Sequence, residues 1–571
     1  MVTTAINLSS LDGSNGFRLD GAEQRDSSGR SVSNAGDVNG DGFDDVIVSA
    51  SLRGSYHIGA SYVVFGKASG FGDTMNLSSL DGSTGFRLLG DYNTLGATNA
   101  GDINGDGFDD VIVRSDPYVG EIVSYVVFGK AAGFSATTDL SSLDGSNGFR
   151  LTGGGGGNNS NYSVSSAGDV NGDGFDDLIV GNDGEYYGGF SFVVFGKVSG
   201  FGAETPIASL MDGTNGFLLA GSLFGDDAAG ASVSGAGDVN GDGFDDLLVG
   251  DPIGDISDGS YDFDGSSYVV FGKASGFSAT MELASLDGSN GFRLNGEMAG
   301  DFSGNSVSNA GDVNGDGFDD VIIGAPRADP NGDQSGSSYV MFGKASGFSA
   351  VMDLSSLDGS NGFRLDGEMA DDFSGFSISN AGDVNGDGFD DLIIGVARAD
   401  PNGYQSGSSY VIFGRAAGFS AAINLSSLDS NSGVRLDGVA TGDLSGGSVS
   451  SAGDINSDGF DDLIIGASGA DPNGSYSGSG SSYVIFGRSD FGGGNVIAGT
   501  PGNDKLTGTP AADIFEAGAG DDSMIGRGGA DVFHGDAGDD NIRVSDLSFG
   551  LVDGGSGNDA LHLAGSDLNL D

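Results

Sequence analysis

The chain has 571 residues and a formal charge of −60, because it contains 82 aspartates and glutamates but only 22 lysines and arginines. This charge repels nucleic acids and anionic membrane surfaces, and excludes both as expected partners. Cysteine is absent, which excludes a disulfide framework and thiolate metal sites.

The rest of the composition predicts a folded chain without a membrane-spanning segment. The 110 glycines follow no three-residue period, which excludes collagen, and the 37% of hydrophobic residues can supply an apolar core. No stretch approaches 18 apolar residues, so membrane insertion is not predicted. Residues 1–10 have no positive n-region and no long apolar run, so we expect no classical signal peptide.

One segment recurs seven times almost unchanged. The first copy reads GDVNGDGFDDVIV and spans residues 36–48. A fixed long period is typical of a solenoid, a propeller or an array of domains. The later copies follow at intervals of 65 to 74 residues and begin at Gly101, Gly168, Gly237, Gly311, Gly382 and Gly453.

Each repeat contains four short strand-like runs. In the first repeat three of them are residues 31–36, 44–48 and 61–67, and the fourth is the run NLSSLDGSNGFRL, interpreted as an outer strand or strand pair. The runs are rich in Val, Ile, Phe and Tyr, and turn residues bound them. Four antiparallel strands repeated seven times predict an all-β fold, a seven-bladed β-propeller. An open array of separate repeats is the alternative.

The phase of the repeat predicts how the ring closes. The outer-strand run comes first in the chain, at residues 7–19, whereas the seventh repeat ends with its third run at residues 482–488. The N-terminus can therefore supply the outer strand of blade seven, which removes exposed sheet edges. We predict that the propeller occupies residues 1–490 and that a second domain occupies residues 491–571.

The centre of each repeat is a DxNxDGFDD motif, residues 37–45 in the first copy. Asp37, Asn39 and Asp41 alternate along the chain, which is how a loop wraps oxygen ligands around a hard cation. Gly42 follows and permits a turn that a Cβ would obstruct. Three carboxylates so close together would repel one another without a cation.

Two further oxygen ligands follow in the same motif. The carbonyl of Phe43 and the carboxylate of Asp45 can complete a shell of about five protein oxygens, which Ca²⁺ tolerates better than Mg²⁺ does. Asp44 is expected to point away as a solvated carboxylate. We predict about seven calcium ions in the propeller, and the alternative is an acidic surface that only aids solubility. The equivalent ligands in the other copies are Asp102, Asn104, Asp106, Phe108, Asp110, Asp169, Asn171, Asp173, Phe175, Asp177, Asp238, Asn240, Asp242, Phe244, Asp246, Asp312, Asn314, Asp316, Phe318, Asp320, Asp383, Asn385, Asp387, Phe389, Asp391, Asp454, Asn456, Asp458, Phe460 and Asp462.

These repeats resemble the FG-GAP repeat of integrin α-subunit heads, over roughly residues 1–490. The fifth repeat matches best, with FSG at residues 302–304, the motif from residue 312, and GAP at residues 324–326. The resemblance implies a seven-bladed propeller with calcium in the loop between the first two strands of a blade, held at the positions named above. Integrin α heads load only some blades, whereas all seven copies here carry the motif. The other integrin domains are not recognisable.

A nine-residue period begins at Gly499 and gives five consecutive copies, from GTPGNDKLT to GDAGDDNIR, with a sixth at Gly554. This glycine-rich nonapeptide is typical of a parallel calcium β-roll. It resembles the RTX, or hemolysin-type, repeat of proteins exported by bacterial type I secretion, which implies several calcium ions held by Gly carbonyls and one Asp of each copy. These aspartates are Asp504, Asp513, Asp522, Asp531, Asp540 and Asp559.

The resemblance to RTX proteins is incomplete in two places. Ala511 and Ala512 break the glycine pattern of the second copy, which weakens its predicted site. RTX proteins carry an uncleaved C-terminal export signal, and none is evident before Asp571. We therefore expect a truncated roll from a longer protein, and an extracellular or cell-surface location reached by type I secretion.

The turns on the face opposite the calcium loops differ most between repeats. Variable loops on a rigid scaffold are where recognition usually resides, and aromatic residues there suit a glycan or a cell-surface or matrix protein. Tolerated loop variation with local packing is the alternative. The residues concerned are Tyr56, His57, Tyr118, Tyr186, Tyr187, Tyr261 and Phe263.

No catalytic residue is predicted. The chain contains only three histidines, His57, His534 and His562. Neither a GxSxG nor an HExxH motif occurs. The leading hypothesis is a calcium-stiffened adhesion or recognition module outside the cell. A polysaccharide lyase or hydrolase is one alternative, because propellers host such sites. A structural spacer or surface-layer protein is the other.

Overall fold

The computed structural model of the chain contains β-strands and single-turn 3₁₀ helices as its regular elements in the part that it describes. In that part, no helix has the length and apolar character needed to cross a bilayer. The described residues are 5–51, 59–90, 93–116, 123–153, 162–184, 188–221, 228–254, 263–416, 418–472, 474, 478–489, 491, 495–508, 513–527, 531–544 and 551–563.

Seven sheets share one strand order, and we number these blades one to seven in the order of the motif copies. In each blade an inner, a second, a third and a fourth strand pair antiparallel in that order. This arrangement confirms the predicted seven-bladed propeller.

The same four strands recur in every blade. The inner strands, in blade order, are Ser28–Gly36, Asn93–Gly101, Tyr162–Gly168, Ser232–Gly237, Ser306–Gly311, Ser377–Gly382 and Ser445–Gly453. The second strands are Asp45–Ala50, Asp110–Asp116, Asp177–Asn182, Asp246–Asp251, Asp320–Ala325, Asp391–Val396 and Asp462–Ala467. The third strands are Ala60–Val64, Val123–Val127, Phe190–Val194, Ser266–Val270, Ser337–Met341, Ser408–Ile412 and Ser481–Ile485. The fourth strands are Gly85–Leu89, Gly148–Thr152, Gly216–Ala220, Gly291–Asn295, Gly362–Asp366, Gly433–Asp437 and Gly16–Asp20.

A three-residue rim strand pairs in parallel with the fourth strand of each blade. The rim strand ends where the predicted outer-strand run begins, as Ala5–Asn7 does for the run at residues 7–19. The chain then makes a 3₁₀ turn and forms the fourth strand of the next blade. The rim strands, in blade order, are Thr137–Asp139, Glu204–Pro206, Thr280–Glu282, Val351–Asp353, Ala422–Asn424, Ala5–Asn7 and Thr74–Asn76. The 3₁₀ turns, in chain order, are Leu8–Ser10, Leu77–Ser79, Leu140–Ser142, Ile207–Ser209, Leu283–Ser285, Leu354–Ser356 and Leu425–Ser427.

The N-terminal segment closes the ring at two blades. Ala5–Asn7 pairs in parallel with Gly433–Asp437 of blade six, and Gly16–Asp20 pairs antiparallel with Ser481–Ile485 of blade seven. Backbone hydrogen bonds therefore join the beginning of the chain to the last repeats, and blade seven exposes no third-strand edge. The division of the chain between residues 490 and 491 stays a prediction.

The hydrophobic core lies between neighbouring blades. The second and third strands of blade one are buried from end to end, and nearly all described residues of the equivalent strands are buried too, so apolar side chains cover both faces of each sheet. Val48 packs in a cluster with Ile464 of blade seven, whereas Ile47 packs in a cluster with Val111 of blade two. No blade buries its apolar surface alone, so the blades depend on one another for stability.

The nonapeptide segment forms two parallel four-stranded sheets, as predicted for a short β-roll. A small core that includes Phe515 and Phe533, stacked with ring centroids 4.7 Å apart, fills the space between them. One sheet contains Asn495–Ala498, Asp513–Glu516, Val532–His534 and Leu551–Asp553. The other contains Lys505–Thr507, Ser523–Ile525, Asn541–Val544 and Ala560–Leu563.

The N-terminal closure can be tested at Phe17, which is fully buried in the seventh fourth strand. Its ring stacks on Phe71 at 4.5 Å and lies 5.9 Å from Phe486. Phe17→Ala is expected to lower the free energy of unfolding by about 3–5 kcal/mol, because it leaves a cavity across the closing seam. Urea unfolding measures the loss. Val198→Ala, at a side chain that is 71% exposed, is the control, and equal midpoints for the two variants would contradict this closure.

Candidate metal sites

Each motif forms the tight turn between an inner and a second strand. A β-bulge leads into it, because Asn34 pairs with Val46 but Gly36 already pairs with Asp45. Gly42 has a φ of 88°, a left-handed conformation that strains any residue with a Cβ. The glycine thus makes the turn that brings the two halves of the motif together.

The carboxylate at position one of the motif organises this loop. Asp37 Oδ1 accepts hydrogen bonds from the backbone N–H groups of Gly40 and Asp41, at 2.7 and 3.0 Å. Its Oδ2 accepts one from the N–H of Gly42 at 2.9 Å. At position five, Asp41 Oδ1 accepts the N–H of Phe43 at 3.2 Å. The loop is therefore shaped by its own carboxylates.

The carboxylate at position nine is fully buried in all seven copies. Asp45 accepts hydrogen bonds from the N–H groups of Gly66 at 2.9 Å and Val38 at 3.2 Å. Burial raises the pKa of Asp45 to about 8, and the charges of Asp41 and Asp37 add to the shift. A cation in the loop would oppose each of these causes and favour the charged carboxylate.

The same environment recurs around the ring, with burial as the main cause in every blade. It raises the pKa of the position-nine carboxyl to about 8 in three further copies, to about 9 in two, and well above its usual value in one. These residues are, in that order, Asp177, Asp246, Asp320, Asp110, Asp462 and Asp391.

The asparagine at position three completes the fit to calcium. Asn104 Nδ2 donates to Asp110 at 3.1 Å, which leaves its amide oxygen available, and Asn456 Oδ1 is buried and has no hydrogen-bond partner among the described residues. A buried amide oxygen without a partner is unfavourable, and a cation would satisfy it. Carboxylate, amide and carbonyl oxygens are the ligands that Ca²⁺ prefers, so the loop residues fit that ion.

The loops are not closed ligand clusters. Within the described ranges, no group of three or more Asp, Glu, His or Cys side chains is arranged to hold a metal ion. The carboxylate oxygens of positions one and nine accept hydrogen bonds from backbone N–H groups. A bound cation would have to share these oxygens with the N–H groups. The ligand assignments at positions one, three, five, seven and nine therefore stay predictions.

The expectation that the aspartate at position eight is a solvated carboxylate is wrong. Asp109 Oδ2 accepts the backbone N–H of Asp37, position one of the preceding blade, at 2.8 Å. The N–H of Asp109 also donates to the carbonyl of Asp37 at 3.3 Å. All seven blades repeat this pair, including Asp44 against Asp454 across the closing seam. The position-eight aspartate is thus an inter-blade contact, which the periodicity of one repeat alone does not reveal.

The phenylalanine at position seven also reaches the preceding loop. A Cβ added to Gly40 would lie 2.3 Å from Phe108 Cε1, so the ring fills the space that this glycine leaves open. The same contact recurs in five further pairs of blades. Each loop is therefore held from outside by a carboxylate of the next blade, and six of the seven loops are also contacted by its ring.

The roll aspartates form ladders along the two sheets. The N–H of Asp504 donates to Asp522 Oδ1 at 2.6 Å, and the N–H of Asp522 donates to Asp540 Oδ1 at 2.8 Å. Asp513 and Asp531 are related in the same way at 3.0 Å, and Asp540 and Asp559 continue the ladder. Asp522 Oδ2 and Asp540 Oδ2 are buried and have no described hydrogen-bond partner, which fits a cation between the turns of the roll.

The residues predicted for the partner face lie almost entirely outside the described residues. These are Tyr56, His57, Tyr118, Tyr186, Tyr187 and Tyr261. Phe263 is described, and its ring lies 5.9 Å from that of Phe302.

The inter-blade role of position eight can be tested with Asp319, whose Oδ2 accepts the N–H of Asp238 at 2.7 Å. Asp319→Ala is expected to lower the free energy of unfolding by about 1–3 kcal/mol, because it leaves that N–H unpaired between blades. Urea unfolding in saturating calcium measures the change. Asp333→Ala, at an exposed loop carboxylate, is the matched control, and a loss no larger than the control's would refute the inter-blade role.

Two repeat families match this chain. The FG-GAP repeat matches residues 28–64, 160–194, 303–341, 374–412 and 445–485. The RTX calcium-binding nonapeptide repeat matches residues 490–524 and 507–542. These matches cover five of the seven blades and most of the described roll, and they support calcium binding by the chain.

The chain is also similar to integrin α-subunits. It is 34% identical to integrin alpha-4 of Xenopus laevis over 175 residues, 30% of this chain and 14% of that protein. It is 33% identical to integrin alpha-PS5 of Drosophila melanogaster over 29% of this chain and 14% of that protein. Human integrin alpha-IIb is 33% identical over 31% of this chain and 16% of its own length. The matched region thus spans about a seventh of these relatives, and the chain is a propeller of integrin-α-like FG-GAP repeats followed by RTX calcium-binding repeats.

Proposed function

We propose that this chain is a calcium-binding adhesion or recognition protein that acts outside the cell. Calcium would fix the propeller loops and the roll, and the opposite face of the propeller would present a binding surface to a glycan or to a cell-surface or matrix protein. The similarity to integrin α-subunits over about a third of the chain supports this class of function.

One observation carries the proposal. Each blade buries the position-nine carboxylate completely, and this burial, together with the charges of two more loop carboxylates, raises its pKa. A buried carboxylate without a compensating positive charge is costly. Seven repeats of the same arrangement around one ring point to a scaffold that depends on cations.

The location follows from calcium availability. Loops of this kind, with about five protein oxygens and water for the rest of the shell, would be sites of modest affinity that fill at extracellular calcium levels. A formal charge of −60 also favours a calcium-rich medium, in which bound ions reduce self-repulsion. RTX-type repeats at the end of the chain support export, and type I secretion is the route that we propose.

An enzymatic role has less support. The carboxylates that a polysaccharide lyase or hydrolase would use are abundant, but the described ones in the loops contact backbone N–H groups as calcium-loop residues do. A spacer or surface-layer role would need the calcium scaffold alone. Calcium-dependent retention on cells or glycan surfaces separates a binder from a spacer, and turnover of a polysaccharide would identify an enzyme.

The proposal predicts that calcium removal destabilises the whole chain. A chelator is expected to lower the melting temperature by about 10 °C or more, because each ion that leaves removes its binding free energy from the folded state. Elemental analysis of the calcium-saturated protein is expected to find at least about seven ions per chain, one for each motif copy. An unchanged melting temperature together with few bound ions would contradict the proposal.

A single loop can be tested in the same assays. Asp320→Asn is expected to remove about one ion per chain, because the buried position-nine carboxylate of blade five becomes a neutral amide of the same shape. Asp333→Asn changes the same atoms at an exposed position in the same blade and is the control. The proposal would lose its support if both variants kept the wild-type number of ions.

A further inference from the structure

A cavity of about 530 Å³ lies on the face opposite the calcium loops. It opens where the inner strands begin and the second strands end, and the calcium loops lie at the other ends of these strands. Four consecutive blades line it: five, six, seven and one. Its volume is within the range of small-molecule sites, about 300–1,000 Å³.

The cavity wall contains bulky residues in a strained backbone conformation. Phe302, Phe373 and Leu444 occupy one repeat position, just before the inner strands of blades five, six and seven, with φ values of 57°, 57° and 55°. A left-handed φ is rare for bulky residues and costs of the order of 1–3 kcal/mol. Such strain clusters at functional sites, and here it directs large apolar side chains to the cavity wall.

Three arginines share this wall with the apolar residues: Arg30, Arg327 and Arg398. The Arg327 guanidinium lies 4.1 Å from the ring centroid of Phe302, and the Arg398 guanidinium lies 4.2 Å from that of Phe373. The aromatic rings of the two residues with a left-handed backbone therefore lie against two guanidinium groups at the cavity. A supported guanidinium is a preorganised fork for a carboxylate or a sulfate.

These three arginines differ from three arginines of the fourth strands that are neutralised by an aspartate. Arg18, Arg364 and Arg435 pair with Asp20, Asp366 and Asp437 two residues later, at 2.7–2.8 Å. By contrast, no described carboxylate lies within ion-pair distance of the three cavity arginines. Asp372 is the acidic residue in the lining, so the wall has an excess of positive charge in a chain that carries −60.

We propose that this cavity binds an acidic sugar of a polysaccharide, one that bears a carboxylate or sulfate group. The oxyanion would be held by Arg327 and Arg398 with Arg30 opposite, and the apolar face of the sugar ring would lie on Phe376, whose side chain is 54% exposed. The inference rests on the proposed recognition function and names its ligand class.

The lining of the cavity favours an acidic sugar over an acidic peptide. A run of glutamates offers carboxylates to the arginines but no rigid apolar ring face for Phe376. A saccharide with about one charge per ring presents the oxyanion together with an apolar face, and the wall offers a partner for both. Guanidinium groups bind carboxylates and sulfates by the same two-point hydrogen bonding. The arginines therefore give no selectivity between a carboxylated and a sulfated sugar.

The test is calorimetric titration of the calcium-saturated full chain. The probes are a uronate trisaccharide, a sulfated disaccharide, a neutral trisaccharide and an oligoglutamate peptide. We expect binding of at least one acidic sugar and of neither the neutral sugar nor the peptide. The double variant R327Q/R398Q is expected to bind at least about tenfold more weakly, because it loses charge-assisted hydrogen bonds. R527Q removes the same kind of charge at an exposed site on the roll and is expected to bind like the wild type.

Two further variants keep the test decisive if the double variant fails to fold. Arg30→Gln and Phe376→Ala change exposed side chains, and each is expected to weaken binding of the acidic sugar without lowering the melting temperature. Acidic-sugar binding that none of the cavity variants weakens would overturn the inference. So would binding of the peptide alone, or of no probe at all. None of these results changes the calcium-dependent melting that tests the proposed function, so the two failures are distinguishable.

Discussion

The propeller depends on one costly element, a carboxylate buried at the start of every second strand. Asp45 and its six equivalents are inaccessible to solvent, and neutral N–H groups of the backbone, joined in several blades by the position-three asparagine, donate hydrogen bonds to them. These N–H groups only partly offset the loss of hydration, as the raised pKa values of the carboxyls indicate. A calcium ion in the loop, as we propose, would resolve this conflict, because it would supply the missing charge and draw the alternating oxygens of the loop together.

The loops that contain these buried carboxylates are connected from blade to blade around the propeller. The next blade holds the loop around each buried carboxylate through the aspartate at position eight, and in six of the seven loops also through the ring at position seven. A loop therefore cannot rearrange without disturbing an inter-blade contact, and occupancy of one site is physically linked to the shape of its neighbour. The N-terminal strands complete this linkage by joining blades six and seven to the start of the chain. Under the proposed function, calcium in these loops would stiffen the scaffold that carries the arginine-lined cavity on the opposite face.

The sequence alone predicts much of this fold, because the period, the strand pattern and the order of the runs are visible in one chain. It predicts the seven blades and the parallel roll. It misses the role of Asp44, since an aspartate beside a ligand looks solvated until the neighbouring blade is placed against it. It also misses the cavity, because Arg30 and Arg327 are almost 300 positions apart and only the closed ring brings them together. The strained φ of Phe302 has no signal in the sequence, because phenylalanine is not a residue that favours it.

Anomalous diffraction from crystals grown in calcium tests the central claim most directly. The account predicts a calcium peak in each motif loop, with oxygens of Asp37, Asp41 and Asp45, or of their equivalents, at about 2.3–2.6 Å. It also predicts that the position-eight aspartate keeps its contact with the preceding blade. Motif loops that show no peak in saturating calcium, with the buried carboxylates bonded to backbone N–H groups alone, would contradict it.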